Sequence, residues 1–221
     1  MKSMIEQIKE IVEVELSCSA HNFEHILRVY GLCEQIALDE NDVDMDILLP
    51  AVLLHDIARV KEDTDTSGKT DHSVLGAEMA EVILLELNFT QERIDKIKHC
   101  IISHRFRSGN QPETIEAKIL FDADKLDVLG SVGIARTYMM SGTYGQKMKF
   151  DEANYKLNEN SENNGRLKDM SKHSPFIEFE YKYKKIPERL FTKKAKEMAV
   201  LRLEFMSEFF RRLKLEIDGK I

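Results

Sequence analysis

The sequence predicts an all-α protein, and three observations support this fold class. Apolar residues recur at helical spacing along most of the 221 residues. Only four prolines and ten glycines interrupt the chain, which leaves room for long helices. No stretch alternates apolar and polar residues between turn signals, as a half-buried strand would. We therefore expect one helical domain.

Helical periodicity divides the chain into nine predicted helices. They cover about 2–16, 22–40, 46–60, 72–88, 91–105, 113–129, 132–141, 178–190 and 192–216. Two polar stretches, at about 61–71 and 154–174, break this pattern and predict loops. The apolar residues of the last helix are expected to pack within the molecule rather than against a partner.

Individual residues support several helix starts. Asp46 can cap the helix that carries Pro50 in its first turn, where a missing N–H costs little. Thr90 can cap the helix that begins at Gln91. These residues locate the starts of the third and fifth predicted helices.

The composition excludes several classes of protein. Hydrophobic residues make up 43% of the chain and charged residues 32%, which is too apolar for a disordered chain and too charged for a membrane protein. The net charge of -7 argues against binding extended nucleic acid, because proteins that bind a phosphate backbone usually carry a basic surplus. The three scattered cysteines indicate neither a disulfide framework nor a thiolate zinc site.

The hydropathy pattern predicts a cytoplasmic protein without a membrane partner. No segment reaches the length and apolarity that a bilayer span needs. The first 16 residues are amphipathic with acidic residues throughout, unlike a signal peptide. The sequence leaves the oligomeric state open.

One predicted helix carries a polar pair in unusually apolar surroundings. Residues 47–58 read ILLPAVLLHDIA, which predicts a buried central helix. A carboxylate such as Asp56 is disfavoured there unless a cation neutralises it, and the adjacent imidazole of His55 makes a metal ion the simplest explanation. Because one adjacent pair cannot complete a coordination shell, further ligands must come from other helices.

Other predicted helices offer polar side chains on or beside the faces that carry their apolar residues. These candidates are His25, His72, His104 and Asp124. Taken alone, a helical histidine is more often a core or rim residue than a ligand, and an aspartate more often caps a helix or faces solvent. Their joint alignment with the doublet on several helices favours a shared site.

Three motifs carry His25, the His55-Asp56 doublet and Asp124. They are His-x-x-Arg-Val at 25–29, the doublet His55-Asp56, and Asp-Ala-Asp-Lys-Leu-Asp at 122–127. In this order and with these flanks they resemble the HD-domain superfamily of metal-dependent phosphohydrolases. The resemblance implies a metal-dependent hydrolase of phosphate ester or phosphoanhydride bonds.

The resemblance extends to small bacterial stand-alone HD hydrolases. It includes Gly-x-x-Gly-Ile-Ala-Arg at 130–136 and two segments within 178–192, so it covers about 21–215. It implies a single HD-type domain over 1–221. The core of that domain would lie at about 21–141 and a C-terminal helical extension at about 175–216.

The resemblance also implies a ligand set. The implied ligands of one divalent ion are His25, His55, Asp56 and Asp124. His72 and His104 fall where two-metal members place further histidine ligands, so a second ion fits there. If they are not ligands, both are candidates to orient the water or to protonate the leaving oxygen. Mixed imidazole and carboxylate ligation suits manganese, iron, cobalt, nickel or zinc, and magnesium fits through the carboxylates.

Two positions depart from the family pattern. Ser103 precedes His104 where two-metal members often have a second histidine, which leaves the second ion open. Arg59 stands where many HD enzymes have an acidic residue, so a proton-transfer role cannot be carried over to that position. Glu62 and Asp63 are near in sequence, but the sequence does not place them at the site.

The implied substrate is a small phosphorylated molecule, with a nucleotide as the expected class. Pyrophosphohydrolase and phosphomonoesterase activities are both open. The alternative is a non-catalytic HD module that binds a nucleotide or a partner and holds a structural metal. Lys125, directly after a proposed ligand, is the leading candidate for a phosphate contact, and the other candidate cations are Arg28, Arg105, Arg136 and Lys182.

Overall fold

The all-α fold class is confirmed. A computed structural model describes residues 3–16, 23–105, 109–148, 160 and 167–221, and these residues form α-helices and no β-strand. None of the described helices has both the length and the apolar character needed to cross a membrane. The chain divides into two compact units, Met1–Asp124 and Lys125–Ile221, and the single-domain organisation stays a prediction.

The first unit is built around one central helix. Its helices are α1 (Met4–Glu15), α2 (Phe23–Ala37), α3 (Met45–Leu54), α4 (Arg59–Thr64), α5 (His72–Glu86), α6 (Gln91–Ser103) and α7 (Ile115–Leu126), the last of which ends just beyond this unit. Helix α3 contacts α1, α2, α5 and α6, and seven of its ten residues are buried. The predicted central helix is therefore present.

Helix α3 ends earlier than the predicted helix 46–60. Residues His55–Ala58 form a turn, in which the N–H of Ile57 donates to the carbonyl of Leu54 at 3.2 Å. Helix α4 follows and occupies the first part of the predicted loop 61–71. The His55-Asp56 doublet thus lies in a turn between two helices, so its predicted placement within a helix is wrong.

The two predicted helix starts differ in outcome. Asp44 caps α3, because its side chain accepts the N–H of Asp46 at 2.9 Å, so the predicted Asp46 cap is wrong. Pro50 consequently lies in the second turn of α3. Thr90 is the N-cap residue of α6, as predicted, although its side chain makes no capping hydrogen bond.

The second unit contains three described α-helices, which are α8 (Gly130–Thr143), α9 (Pro175–Tyr181) and α10 (Lys193–Ile217). Short 3₁₀ turns cover Met170–Lys172, Tyr183–Lys185 and Pro187–Arg189. The predicted helix 178–190 is therefore α9 followed by two such turns. Of the predicted loop 154–174, residues 154–159 and 161–166 lie outside the described residues.

The packing of α10 agrees in part with its prediction. Phe210 is buried and stacks on Phe179 of α9, with ring centroids 4.6 Å apart. Leu201 and Phe205, however, are 67% and 53% exposed. The apolar residues of this helix therefore pack within the molecule on one face and are exposed on another.

Gly133 allows a close backbone approach at the start of α8. A Cβ atom at this position would lie 2.0 Å from the carbonyl oxygen of Val128. Gly130, the first residue of α8, has a φ of +75°, a conformation that L side chains rarely adopt. Both glycines of the motif at 130–136 thus have a structural reason.

Glu178 pairs with a histidine and a lysine in the second unit. Its carboxylate lies 2.7 Å from Nε2 of His173 and 2.5 Å from Nζ of Lys182. Burial alone would raise the pKa of Glu178, but Lys182 and His173 together hold it well below its usual value. The ionised carboxylate is therefore stabilised in the folded state.

We expect Glu178→Gln to reduce stability at neutral pH but much less in acid. Because the folded-state pKa is depressed, the carboxylate stabilises the fold above its ordinary pKa of 4.5, and this contribution is lost as the pH falls through the folded value. Urea unfolding of the parent and the variant should differ most near about pH 7, and the difference should shrink progressively as the pH falls below the ordinary pKa of 4.5. Glu216→Gln removes an exposed pair with Arg212 and serves as the control. A difference that does not change with pH would contradict this prediction.

Candidate metal centre

Six polar side chains converge in the first unit. His25 is in α2 and Asp124 in α7, His55 and Asp56 follow α3, His72 opens α5, and His104 follows α6. All are buried except Asp124, whose side chain is 17% exposed. The structure thus brings together every residue that the sequence predicts as a ligand of a first or a second ion.

His25, His55 and Asp56 form a first triad, in which one ligand atom from each residue lies within 4.8 Å of the others. Nε2 of His25 is 3.7 Å from Oδ2 of Asp56 and 3.4 Å from Oδ1 of Asp124. Nε2 of His55 is 3.8 Å from Oδ2 of Asp56. Two ligands bound at about 2.1 Å to one ion lie about 3.0–4.2 Å apart, depending on their angle. These separations therefore fit a single ion.

A second triad consists of Asp56, His72 and His104, and here too one ligand atom from each residue lies within 4.8 Å of the others. Oδ1 of Asp56 is 3.3 Å from Nε2 of His72 and 3.6 Å from Nε2 of His104. Asp56 belongs to both triads and directs a different oxygen to each. The arrangement could hold two adjacent cations bridged by one carboxylate, as in two-metal sites.

Backbone carbonyls set the tautomers of two histidines. Nδ1 of His55 lies 2.7 Å from the carbonyl oxygen of Val52, and Nδ1 of His104 lies 2.5 Å from that of Ile101. Because a carbonyl only accepts, each Nδ1 carries a proton, and Nε2 is the ring nitrogen left available to a metal ion. Nε2 of His55 is buried and has no hydrogen-bond partner among the described residues. A metal ion would satisfy this otherwise costly buried atom.

A carboxylate sets the tautomer of His72 in the same way. Nδ1 of His72 is 2.8 Å from Oε2 of Glu62, so this nitrogen must carry a proton to avoid facing the carboxylate with a lone pair. The Nη1 atom of Arg59, 3.1 Å from the same nitrogen, donates instead to Oε2 of Glu62 at 2.9 Å. Nε2 of His72 then presents a lone pair 3.3 Å from Nε2 of His104, a separation that suits a cation bound by both nitrogens.

Burial and charge prepare the site for a cation. Burial lowers the pKa of His55 to about 4 and also lowers the pKa of His72, so both rings are neutral at neutral pH. Burial alone would raise the pKa of Asp56, but the surrounding imidazoles, His55 foremost, hold it well below its usual value. Neutral imidazoles around an ionised carboxylate are the protonation states that metal binding requires.

Two predicted substrate cations lie in the first unit. Arg28, one turn after His25 in α2, has its Nη1 atom 4.0 Å from Glu24. Nη1 of Arg105 lies 2.9 Å from Oε1 of Glu62 and 2.8 Å from Oδ1 of Asp71. The guanidinium of Arg105 is therefore engaged by two carboxylates.

The other three predicted substrate cations lie in the second unit. Arg136 forms an ion pair with Asp127, and Lys182 pairs with Glu178. Lys125 directly follows Asp124 in α7. Their contacts with a substrate stay predictions.

Glu62 is a site residue that the sequence did not identify. It is 6% exposed and bonds to His72, whereas the neighbouring Asp63 has a 43% exposed side chain that lies 3.5 Å from Arg59. The available signal was the acidic pair after the doublet. That signal does not distinguish the buried member from the exposed one.

Comparison with known proteins identifies the family. The HD domain matches residues 22–129 of this chain. The uncharacterized protein YpgQ of Bacillus subtilis is 30% identical over 220 residues, which are 97% of this chain and 94% of YpgQ. The chain belongs to the HD-domain family.

Solved structures agree with this membership. Bacillus subtilis YpgQ in complex with ADP has a TM-score of 0.72 and 28% identity to this HD protein, over 99% of this chain and 100% of YpgQ. An HD-superfamily hydrolase from Bacillus thuringiensis has a TM-score of 0.71 and 25% identity, over 97% and 96% of the two chains. The predicted HD fold is therefore confirmed.

A further relative has a named activity. The 3'-5' exoribonuclease YhaM of Bacillus subtilis is 31% identical over 115 residues. The match covers 47% of this HD protein and 37% of YhaM. It is thus a partial likeness to a longer enzyme.

Proposed function

We propose that this HD protein is a metal-dependent phosphohydrolase that acts on a nucleotide. The observation that carries the proposal is the pair of triads that share Asp56, with Nε2 lone pairs directed at both. Imidazole and carboxylate ligands suit manganese, iron, cobalt, nickel or zinc, and magnesium fits through the carboxylates. A calcium site would have mainly oxygen ligands.

Bound divalent ions would lower the pKa of a water molecule and neutralise charge on a phosphoryl group. The chain supplies the orientation, because hydrogen bonds to Nδ1 aim the rings of His55, His72 and His104. The doublet also lies in a buried stretch of chain, since Leu54 and Ile57 on either side of it are buried. Electrostatic interactions are stronger in such surroundings than in water.

Two relatives support a nucleotide or nucleotide-derived substrate. YpgQ, which aligns over nearly the whole chain, has been solved with ADP, and YhaM is an exoribonuclease. We propose Lys125, next to Asp124, and Arg28, one turn after His25, as phosphate contacts. Arg136 and Lys182 are further candidates in the second unit.

A nucleotide panel tests the proposal. Protein loaded in turn with each candidate ion should release phosphate or pyrophosphate from at least one nucleoside mono-, di- or triphosphate. A short oligoribonucleotide in the same panel tests for exoribonuclease activity like that of YhaM. A chelator should abolish the release and the effective ion should restore it. If no ion supports release from any of these substrates, the proposal is overturned. Binding of ADP without turnover would favour the non-catalytic module.

A further inference from the structure

Three charged residues form a bridge beside the second triad. Glu62 comes from α4, Asp71 caps α5, and Arg105 follows His104 at the end of α6. One guanidinium nitrogen of Arg105 bonds to both carboxylates, at 2.9 and 2.8 Å. The bridge therefore connects the three elements from which the environment of His72 and His104 is built.

We propose that Glu62 and Arg105 are positioning residues that hold His72 and His104 ready for a second ion. The inference rests on the proposed metal-dependent function. It assigns Arg105 a role in the protein framework in place of a phosphate contact. It also identifies Glu62 as a functional acid after the doublet, in a chain that has Arg59 where many relatives have an acid.

The two oxygens of Glu62 have different partners. Oε2 accepts from Nδ1 of His72 and from Arg59, while Oε1 accepts from Arg105. With both oxygens engaged, the carboxylate cannot rotate freely, and the ring of His72 is held with Nε2 toward Asp56 and His104. Such outer hydrogen bonds orient metal ligands and raise their basicity.

Arg105 acts on His104, the second histidine of this triad. It is the residue after His104, so the guanidinium that holds Glu62 also ties the end of α6 to the start of α5 through Asp71. Asp71 in turn accepts the N–H of Ser73 at 2.9 Å, which anchors the first turn of α5 behind His72. The distance of 3.3 Å between the two Nε2 atoms therefore depends on this bridge.

Charge supports the same conclusion. Removing the carboxylate of Glu62 would take away a partner that Arg59 and Arg105 share, and would leave them with Asp63 and Asp71 respectively. The loss of one negative charge beside the second triad would oppose binding of a cation. Loss of Glu62 should therefore weaken binding of the second ion, because it affects both the orientation of the His72 ring and the charge beside the triad.

Two measurements on the whole chain test the proposal. The first is calorimetric titration of chelator-stripped protein with Mn²⁺, in which we expect two ions per parent chain. Glu62→Ala should weaken the affinity for one ion by about 10–100-fold and leave the affinity for the other unchanged. His72→Ala should weaken the affinity for the same ion further. The second is the ¹⁵N shift of the His72 ring nitrogens in metal-free protein, which should report the Nδ1–H tautomer in the parent and its loss in Glu62→Ala.

Further variants make the outcome specific. Glu62→Gln keeps the size and an acceptor, and Arg105→Lys keeps a charge that cannot bridge both carboxylates as well, so both should show intermediate Mn²⁺ affinity. They also keep the test decisive if Glu62→Ala does not fold. Glu81→Gln, which breaks the ion pair with Lys98 between α5 and α6 away from the site, should behave like the parent.

The readouts separate this inference from the proposed function. An unchanged His72 tautomer and unchanged Mn²⁺ affinity in Glu62→Ala and Arg105→Lys would overturn the positioning role, whatever the panel shows. Absence of turnover in the parent would overturn the proposed function. In that case, a tautomer change and the loss of one Mn²⁺ ion in the variants would still support the role of Glu62.

Discussion

Asp56→Asn should abolish phosphate release, with a loss of at least about 10³-fold, and should remove bound metal at the same time. Asp56 is the one residue common to both triads and supplies a separate oxygen to each. Asparagine has nearly the same shape but carries no charge, and it can direct an N–H group at one of the two ions. One ion therefore loses a ligand, and both lose the compensating negative charge.

The measurements are the metal content of the purified protein and turnover of the best nucleotide from the panel. Asp95→Asn, at an exposed position on α6 where the side chain accepts from Gln91, is the matched control and should keep both properties. Full metal content in the Asp56 variant would show that the triads are not the site. If the parent protein has no activity, unfolding of the Asp56 variant would instead indicate a structural metal.

Gly133→Ala should destabilise the second unit by about 3 kcal/mol or more. The added Cβ would lie 2.0 Å from the carbonyl oxygen and 2.3 Å from the carbonyl carbon of Val128. These are backbone atoms, so no flexible side chain can move aside. The start of α8 must shift relative to the preceding segment instead.

Gly142→Ala provides the control within the same helix. Among the described residues, no heavy atom would approach its added Cβ within 4 Å. Because alanine favours a helix over glycine by about 1 kcal/mol, this variant should be slightly more stable than the parent. Urea unfolding measures both effects, and equal stabilities for the two variants would contradict the close approach at Gly133.

The fold class and the ligand set could be predicted because both rest on patterns that extend through the chain. Helical periodicity depends on many residues, so errors of a few positions at helix ends did not change the class. His25 and Asp124 were identified because their flanking residues match a family motif. The structure then places both near the doublet, as the resemblance implies.

The end of α3 could not be predicted from local sequence. The apolar run continues past Leu54 to Ala58 without a glycine or a proline that would interrupt the helix. In the structure, the imidazole of His55 bonds to the carbonyl of Val52, which a continuing helix would use for the N–H of Asp56. The break is thus set by side-chain contacts at the site.

The role of Glu62 depends on a contact between elements. Its partner His72 is ten residues away, on the far side of a loop whose geometry determines whether the two side chains meet. From sequence, an acidic residue near Lys61 and Asp63 is expected to be solvated. Only the folded arrangement of α4 and α5 distinguishes this carboxylate from its neighbours.

The ends of α3 and α6 have an electrostatic consequence for the protein without ions. Both helices end directly at a site histidine, His55 or His104, and neither has a basic residue in its last turn. The C-terminal end of a helix carries about half a negative charge from its aligned peptide dipoles. Without a cation, two such ends converge on the ionised Asp56, so the backbone as well as the side chains makes metal binding and the stability of the first unit interdependent.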